Sequence, residues 1–272
     1  MSVAIVFDIG GTQMRVGVSR DGKEIEHVKV QPTPKDFKEG VTALRQAAHD
    51  LAAGETIREV SGCIAGIFER GHTALFRSPN LPGWERQPIR TVLEEAFRTT
   101  VYLENDAALA GLGESIFGSG KDFYNVMYMT VSTGVGGARI IGREVDSRVY
   151  SFEPGQQIID TNKNIGLEDL ISGTAIQKRF GKKAFEIKQS DPVWKELAVY
   201  LAHGLYNSVL HWSPDVIVLG GSMILGDPSI PIREVEKELG NILKIFPTIP
   251  VIRKSSLGDH SGLYGALKFI SS

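Results

Sequence analysis

The chain is expected to fold as an α/β protein of two similar lobes, and three observations lead there. Short continuous apolar runs such as Val3-Ala4-Ile5-Val6-Phe7 alternate with helical spacings such as Phe37, Val41, Leu44, Ala48 and Leu51. The first run leads through the glycine turn Asp8-Ile9-Gly10-Gly11-Thr12 into a returning strand, Met14 to Val18. The same plan restarts about 120 positions later with Asn125 to Val131, the turn Ser132-Thr133-Gly134-Val135-Gly136-Gly137, and Ala138 to Ile141. The repeat is one of pattern, with little residue identity. It implies two lobes whose glycine hairpins face each other across a cleft.

Composition narrows the function. A hydrophobic fraction of 42%, a charged fraction of 23% and 30 glycines describe a globular chain with many tight turns. The 272 residues fit one large or two smaller domains at roughly 100–200 residues per domain. The boundaries expected are an N-terminal lobe over 1–105, with 260–272 packing back on it, and a C-terminal lobe over 106–259. A net charge of -2 argues against a general nucleic-acid surface. Cys63 is the only cysteine, so a disulfide framework or cysteine-based metal site within the chain is excluded. It reads as a small core residue, with a reactive thiol as the alternative. No leader pattern opens the chain and no apolar run approaches the roughly 18 residues of a membrane span, so no membrane partner and a cytoplasmic location are expected.

Each element has a local reason. Asp21-Gly22 reads as a tight turn before a third strand, Glu24 to Val30. Residues 36–52 form an amphipathic helix ended at Gly54, strand-like residues 59–68 follow, and Pro88 opens a helix reaching Phe97. Thr100 to Leu103 is a strand with Glu104-Asn105-Asp106 at its carboxyl end, where ligands of open α/β sheets bind. A helix from Ala107 to Phe117 comes next. Further on lie a long helix, Val193 to Trp212, a buried strand, Val216 to Leu219, running into Gly220-Gly221, a helix from Arg233 to Phe246, and a terminal helix from Gly262 to Ile270. The Gly-Lys-Ser/Thr ending of a Walker loop is absent from the first turn.

Three glycine turns at strand ends, with carboxylates nearby, point to phosphoryl transfer from a nucleotide. Bare glycines let consecutive N–H groups converge on an anion. Asp8, at the end of the first strand, suits a carboxylate that holds Mg²⁺ through water, while Gly10, Gly11 and the Thr12 hydroxyl meet phosphates. The alternative is an ordinary Asp-Gly hairpin. Arg15 either pairs with the transferring phosphoryl group or lies on the strand surface. Asp106 is the candidate catalytic residue, orienting a sugar hydroxyl and accepting its proton. The structural alternative makes it the N-cap of the helix that follows, and a cap would also hold the carboxylate still. The six histidines show no metal spacing, and His203 and His211 read as packing or surface residues. Trp194 and Trp212 read as core, and the basic stretch Lys178 to Lys183 as a solvated loop.

Taken together, Asp8 to Thr12 with Arg15, Glu104-Asn105-Asp106, Ser132 to Gly137, Glu153-Pro154-Gly155, Glu168 before Ile171 to Ile176, and Leu219-Gly220-Gly221 resemble the ROK family of sugar kinases. That family sits in the actin/hexokinase/Hsp70 superfamily. The resemblance implies a ribonuclease H-like fold in two lobes around a central cleft, and ATP-dependent, Mg²⁺-assisted phosphorylation of a hexose or N-acetylhexosamine. It carries phosphate contacts onto Gly10, Gly11, Thr12, Thr133 and Gly134, and a nucleotide turn onto Gly220 and Gly221. Asp106 matches the family's base, and Asn80, Asn105, Glu153 and Glu168 match positions that bond sugar hydroxyls. A homodimer is also implied. The family's zinc motif is missing, because Gly155-Gln156-Gln157 replaces its histidine and no cysteine cluster follows, so no zinc site is expected. Gln156 either touches sugar or sits on a surface loop. A catalytically weak sugar-binding or regulatory protein is the rival reading; ROK repressors carry a DNA-binding domain before the first phosphate turn, which here begins at Asp8.

Overall fold

A computed structural model describes residues 2–270 of the chain, which fold into two compact units. The last two positions of the 260–272 segment lie outside the described residues. The first unit holds the chain through Gly113, with Ser147–Ser151 and the segment from His260 onward. The second holds Glu114–Asp146 and Phe152–Asp259.

The first unit begins with β1 (Ser2–Ile9), β2 (Gln13–Ser19) and β3 (His27–Pro32), then α1 (Phe37–Ala52) and β4 (Thr56–Ile64). A short hairpin, β5 (Ile67–Phe68) and β6 (Leu75–Arg77), precedes α2 (Ile89–Phe97), β7 (Val101–Asn105) and α3 (Asp106–Ile116). Its sheet has the order β3-β2-β1-β4-β7, with antiparallel pairing through β1–β2–β3 and parallel pairing of β1 with β4 and β4 with β7. The interior of β1 is fully buried, which explains its unbroken apolar run. The apolar stripe of α1 covers one face of this sheet. Trp84 fills the remaining space, edge-on to Phe37 at 5.3 Å and donating its indole N–H to the Pro34 carbonyl at 3.1 Å.

The second unit contains β8 (Asn125–Val131), β9 (Val135–Ile141) and β10 (Glu144–Val145). The pair β11 (Ile158–Asp160) and β12 (Ile165–Gly166) leads into α4 (Leu167–Ile171), α5 (Gly173–Phe180) and α6 (Val193–Trp212). Then come β13 (Val216–Gly220), α7 (Ser222–Leu225), α8 (Ile232–Ile242) and β14 (Val251–Lys254). The final helix α9 (Ser261–Leu267) belongs to the first unit and packs on β1 and β4. The second sheet runs β10-β9-β8-β13-β14, with an antiparallel meander followed by two parallel strands. Both sheets therefore share one topology, as the repeated pattern predicts. Each unit has its own apolar core: Trp194, Leu197 and Leu201 of α6 lie in the second, Phe7 and Leu44 in the first.

Several boundaries shift for identifiable reasons. The third strand starts at His27 because the Asp21 carboxylate accepts the amides of Lys23 and Glu24 at 2.8 and 3.0 Å, widening the turn. The 59–68 run is broken at Gly66, whose φ is +145°. The second glycine turn is tighter than expected, since Gly136 and Gly137 already pair within β9. Strand β7 runs on through Asn105. The eighth helix ends at Ile242 and the last at Leu267, short of the expected Phe246 and Ile270. Lys178 and Arg179 form the last turn of α5 instead of a loop, with Arg179 gripping Glu196 at 2.8 and 3.0 Å.

Candidate active site

In the first unit the site is assembled by strand register. Asp8 of β1 lies level with Cys63 of β4, and Cys63 with Glu104 of β7. At a spacing of about 4.8 Å between strands, this sets the Cα atoms of Asp8 and Glu104 roughly 10 Å apart at the carboxyl edge of the parallel strands. Across the hairpin Asp8 is paired in register with Arg15, whose guanidinium reaches Gln13 Oε1 at 3.1 Å. The half-buried Asp8 accepts from the Cys63 thiol at 3.5 Å. Burial, followed by the charges of Asp8 and Asp106, pushes the thiol pKa well up, so Cys63 stays protonated and is a core residue, not a nucleophile.

The turn after β1 is closed by a Gly10 amide to Gln13 carbonyl bond of 2.9 Å and held by Thr33, whose hydroxyl donates to the Gly10 carbonyl at 2.8 Å. Gly11 is obligatory here, because a Cβ would stand 2.4 Å from the Cβ of Asn80. Asn80, expected to meet sugar, therefore packs on the turn expected to meet phosphate. Lys35, which sequence reasoning missed, donates to the Gly11 carbonyl and, at 2.9 Å, to that of Asn80. No local pattern marks it, since its partners are distant in sequence.

Asp106 opens α3, but it is not the cap. The neighbouring Asn105 does that work, its Oδ1 accepting the Ala108 amide at 3.0 Å. The Asn105 amide group also donates to the Gly66 carbonyl at 2.9 Å and to Asp106 Oδ1 at 3.0 Å, fixing the carboxylate's orientation. Burial raises the Asp106 pKa above the ordinary value, opposed by bonds from the Ala107 amide, its own amide and Asn105. A carboxylate held this way is a better proton acceptor than a free one.

The second unit brings together the other two glycine turns. Ser132 Oγ lies 3.1 Å from Ser222 Oγ, linking the turn after β8 to the one after β13. Gly221 has φ +86°, and a Cβ there would meet the Val131 carbonyl at 2.3 Å. Thr174, at the start of α5, donates its hydroxyl to the Thr133 carbonyl at 2.7 Å. Thr133 is exposed and Gly220 buried, so the four predicted turn residues differ in access. Glu168 accepts the Val135 amide at 2.7 Å and stands against Gly134, and thereby props the turn itself. Glu153 precedes Pro154, which packs on Gly137. Gln156 is exposed at the end of that 3₁₀ turn.

Among the described residues no group of three or more His, Cys, Asp or Glu side chains converges to hold a metal, and no helix is long and apolar enough to cross a membrane. The Asp8 carboxylate is the hard oxygen donor that Mg²⁺ takes, and Mg²⁺ bound mainly by water and substrate phosphates needs one such ligand. The residues thus fit that ion.

The ROK family model matches residues 4–272. This chain is a ROK family protein. The ROK hexokinase of Thermus thermophilus superposes with a TM-score of 0.82 at 29% identity, over 97% of this chain and 96% of that one. A fructokinase of Pediococcus pentosaceus is 32% identical, over 68% of this chain and 69% of its own length. A xylose repressor of Bacillus spizizenii is 27% identical over 75% of this ROK chain, which spans 58% of the repressor.

Proposed function

We propose that this ROK protein is an ATP-dependent sugar kinase that phosphorylates a hydroxyl of a hexose or N-acetylhexosamine. The observation carrying the reading is the oriented, pKa-raised Asp106 at the carboxyl edge of the sheet that also presents Asp8 and the first glycine turn. In the reaction the sugar oxygen bonds to the γ-phosphorus, the bond from that phosphorus to the β,γ-bridging oxygen breaks, and the sugar proton passes to Asp106. Asn105 keeps the accepting oxygen aimed. Asn80, Glu153, Glu168 and Gln156 remain the proposed sugar contacts, with Glu168 also holding the Val135 amide. Gly10, Gly11, Thr12, Arg15, Thr133 and Gly134 take phosphates, and Gly220 and Gly221 take the nucleotide. When bound, Mg²⁺ on Asp8 neutralises phosphate charge.

Likeness to hexokinase and fructokinase supports the kinase reading, and likeness to a xylose repressor supports a second one, a sugar-responsive regulator. A coupled ADP-release assay over glucose, fructose, mannose, N-acetylglucosamine and N-acetylmannosamine separates them. Sugar-dependent turnover of one or more is expected. Sugar binding with no ADP release from any of the five would overturn the kinase assignment.

A further inference from the structure

A polar cavity lies within the first unit, beside β4 and β7. Its volume is about 180 Å³, and its lining includes Ser61, His72, Arg90, Tyr102, Glu104 and Phe269. Two of its donors have no partner among the described residues. Ser61 is fully buried with an unbonded hydroxyl, and the buried Nε of Arg90 is likewise unmatched. A guanidinium is always charged, and a buried N–H without an acceptor is unfavourable. The one carboxylate of the lining is already engaged: Glu104 accepts from Arg148 at 2.7 Å and from the Asn105 amide at 2.7 Å, with His72 Nε2 3.8 Å away. With Glu104 paired to Arg148, the Arg90 charge has no carboxylate partner among the described residues, and what would match it and the Ser61 hydroxyl must bring acceptor oxygens and a negative charge. Its other wall is apolar, formed by the Tyr102 and Phe269 rings stacked at 5.9 Å.

We infer that this cavity is a binding site for a small organic oxyanion, with the anion on Arg90 and Ser61 and any apolar body against Tyr102 and Phe269. It is separate from the proposed sugar and nucleotide contacts, yet Glu104 connects it to Asn105 through one hydrogen bond. An occupant would thus sit one residue from Asn105, which orients the proposed base.

The test is amide chemical-shift titration of the full-length protein with inorganic phosphate and, separately, with benzoate. Saturable shifts at the Ser61, Tyr102 and Glu104 amides are expected with at least one probe, and which probe acts tells phosphate from carboxylate chemistry. In Arg90→Met the midpoint should rise at least tenfold, and in Ser61→Ala at least threefold, while shifts at Gly10 and Gly11 from anions bound elsewhere stay unaltered. Absence of saturable shifts with both probes, or an unchanged midpoint in Arg90→Met, would overturn the site. Because Arg90 lies partly exposed on α2 and Ser61→Ala removes one buried atom, both variants should retain the fold, which their amide spectra verify directly.

Discussion

Asp106 carries opposing demands that make it testable in two ways. Its partial burial disfavours the charged form, and the same desolvation strengthens it as a base. Replacing it with Asn removes the proton acceptor while keeping the shape, so kcat should fall by about 10²–10⁴-fold in a steady-state assay. The sign of the stability effect is opposite. A carboxyl whose folded pKa is raised stabilises the fold at low pH, and that contribution is lost as pH rises through the folded value. Asp106→Asn should therefore melt higher than the wild type at neutral pH by calorimetry, and a lower melting temperature would contradict the buried-charge account. Its raised pKa also predicts the acid limb of kcat/KM: activity should fall as pH drops through a value above the ordinary aspartate figure of about 3.9. A pH–rate profile flat down to that figure would exclude Asp106 as the titrating base.

Elements are held by single buried residues as much as by their own propensity. Glu114, fully buried on α3, is the clearest case. Its carboxylate accepts from Ser119 N at 2.9 Å, Ser255 Oγ at 2.6 Å and Leu257 N at 2.9 Å, so one side chain organises the end of α3 and the loop after β14. Glu114→Ala would orphan these donors, and a loss of about 3 kcal/mol in unfolding free energy is expected from denaturant titration. The glycine hairpins show the same dependence. Gly-Gly-Thr after β1 is recognisable from residue order alone, yet what holds it, Lys35 and Thr33, comes from a segment beyond β3. The cap of α3 is instructive in this respect. Asp and Asn are both good N-caps, so composition could not separate Asn105 from Asp106; β7 extending through Asn105 decided it.

On the scale of the whole molecule, two cores with separate memberships underlie two compact units, each with a sheet of the same order and sense. Ligands proposed to bind the folded turns should shift the unfolding equilibrium by mass action. ATP with Mg²⁺ at a hundredfold above its Kd is expected to stabilise the protein by about 2.7 kcal/mol, read as a concentration-dependent rise in melting temperature. A melting curve indifferent to ATP would refute nucleotide binding by these turns.

The α/β class, the repeated strand–turn–strand plan, the glycine turns and the buried Cys63 were all determined by residue order, because apolar periodicity and glycine's conformational freedom act over a few neighbouring residues. Tertiary structure decided the rest. Only strand register could set Asp8 level with Cys63 and Glu104, and only long-range folding could bring Arg148 onto Glu104, Lys35 onto Gly11 and Glu168 onto the Val135 amide. Such contacts join residues far apart in the chain, and no local pattern encodes the pairing of side chains that meet only after their sheets and helices have packed.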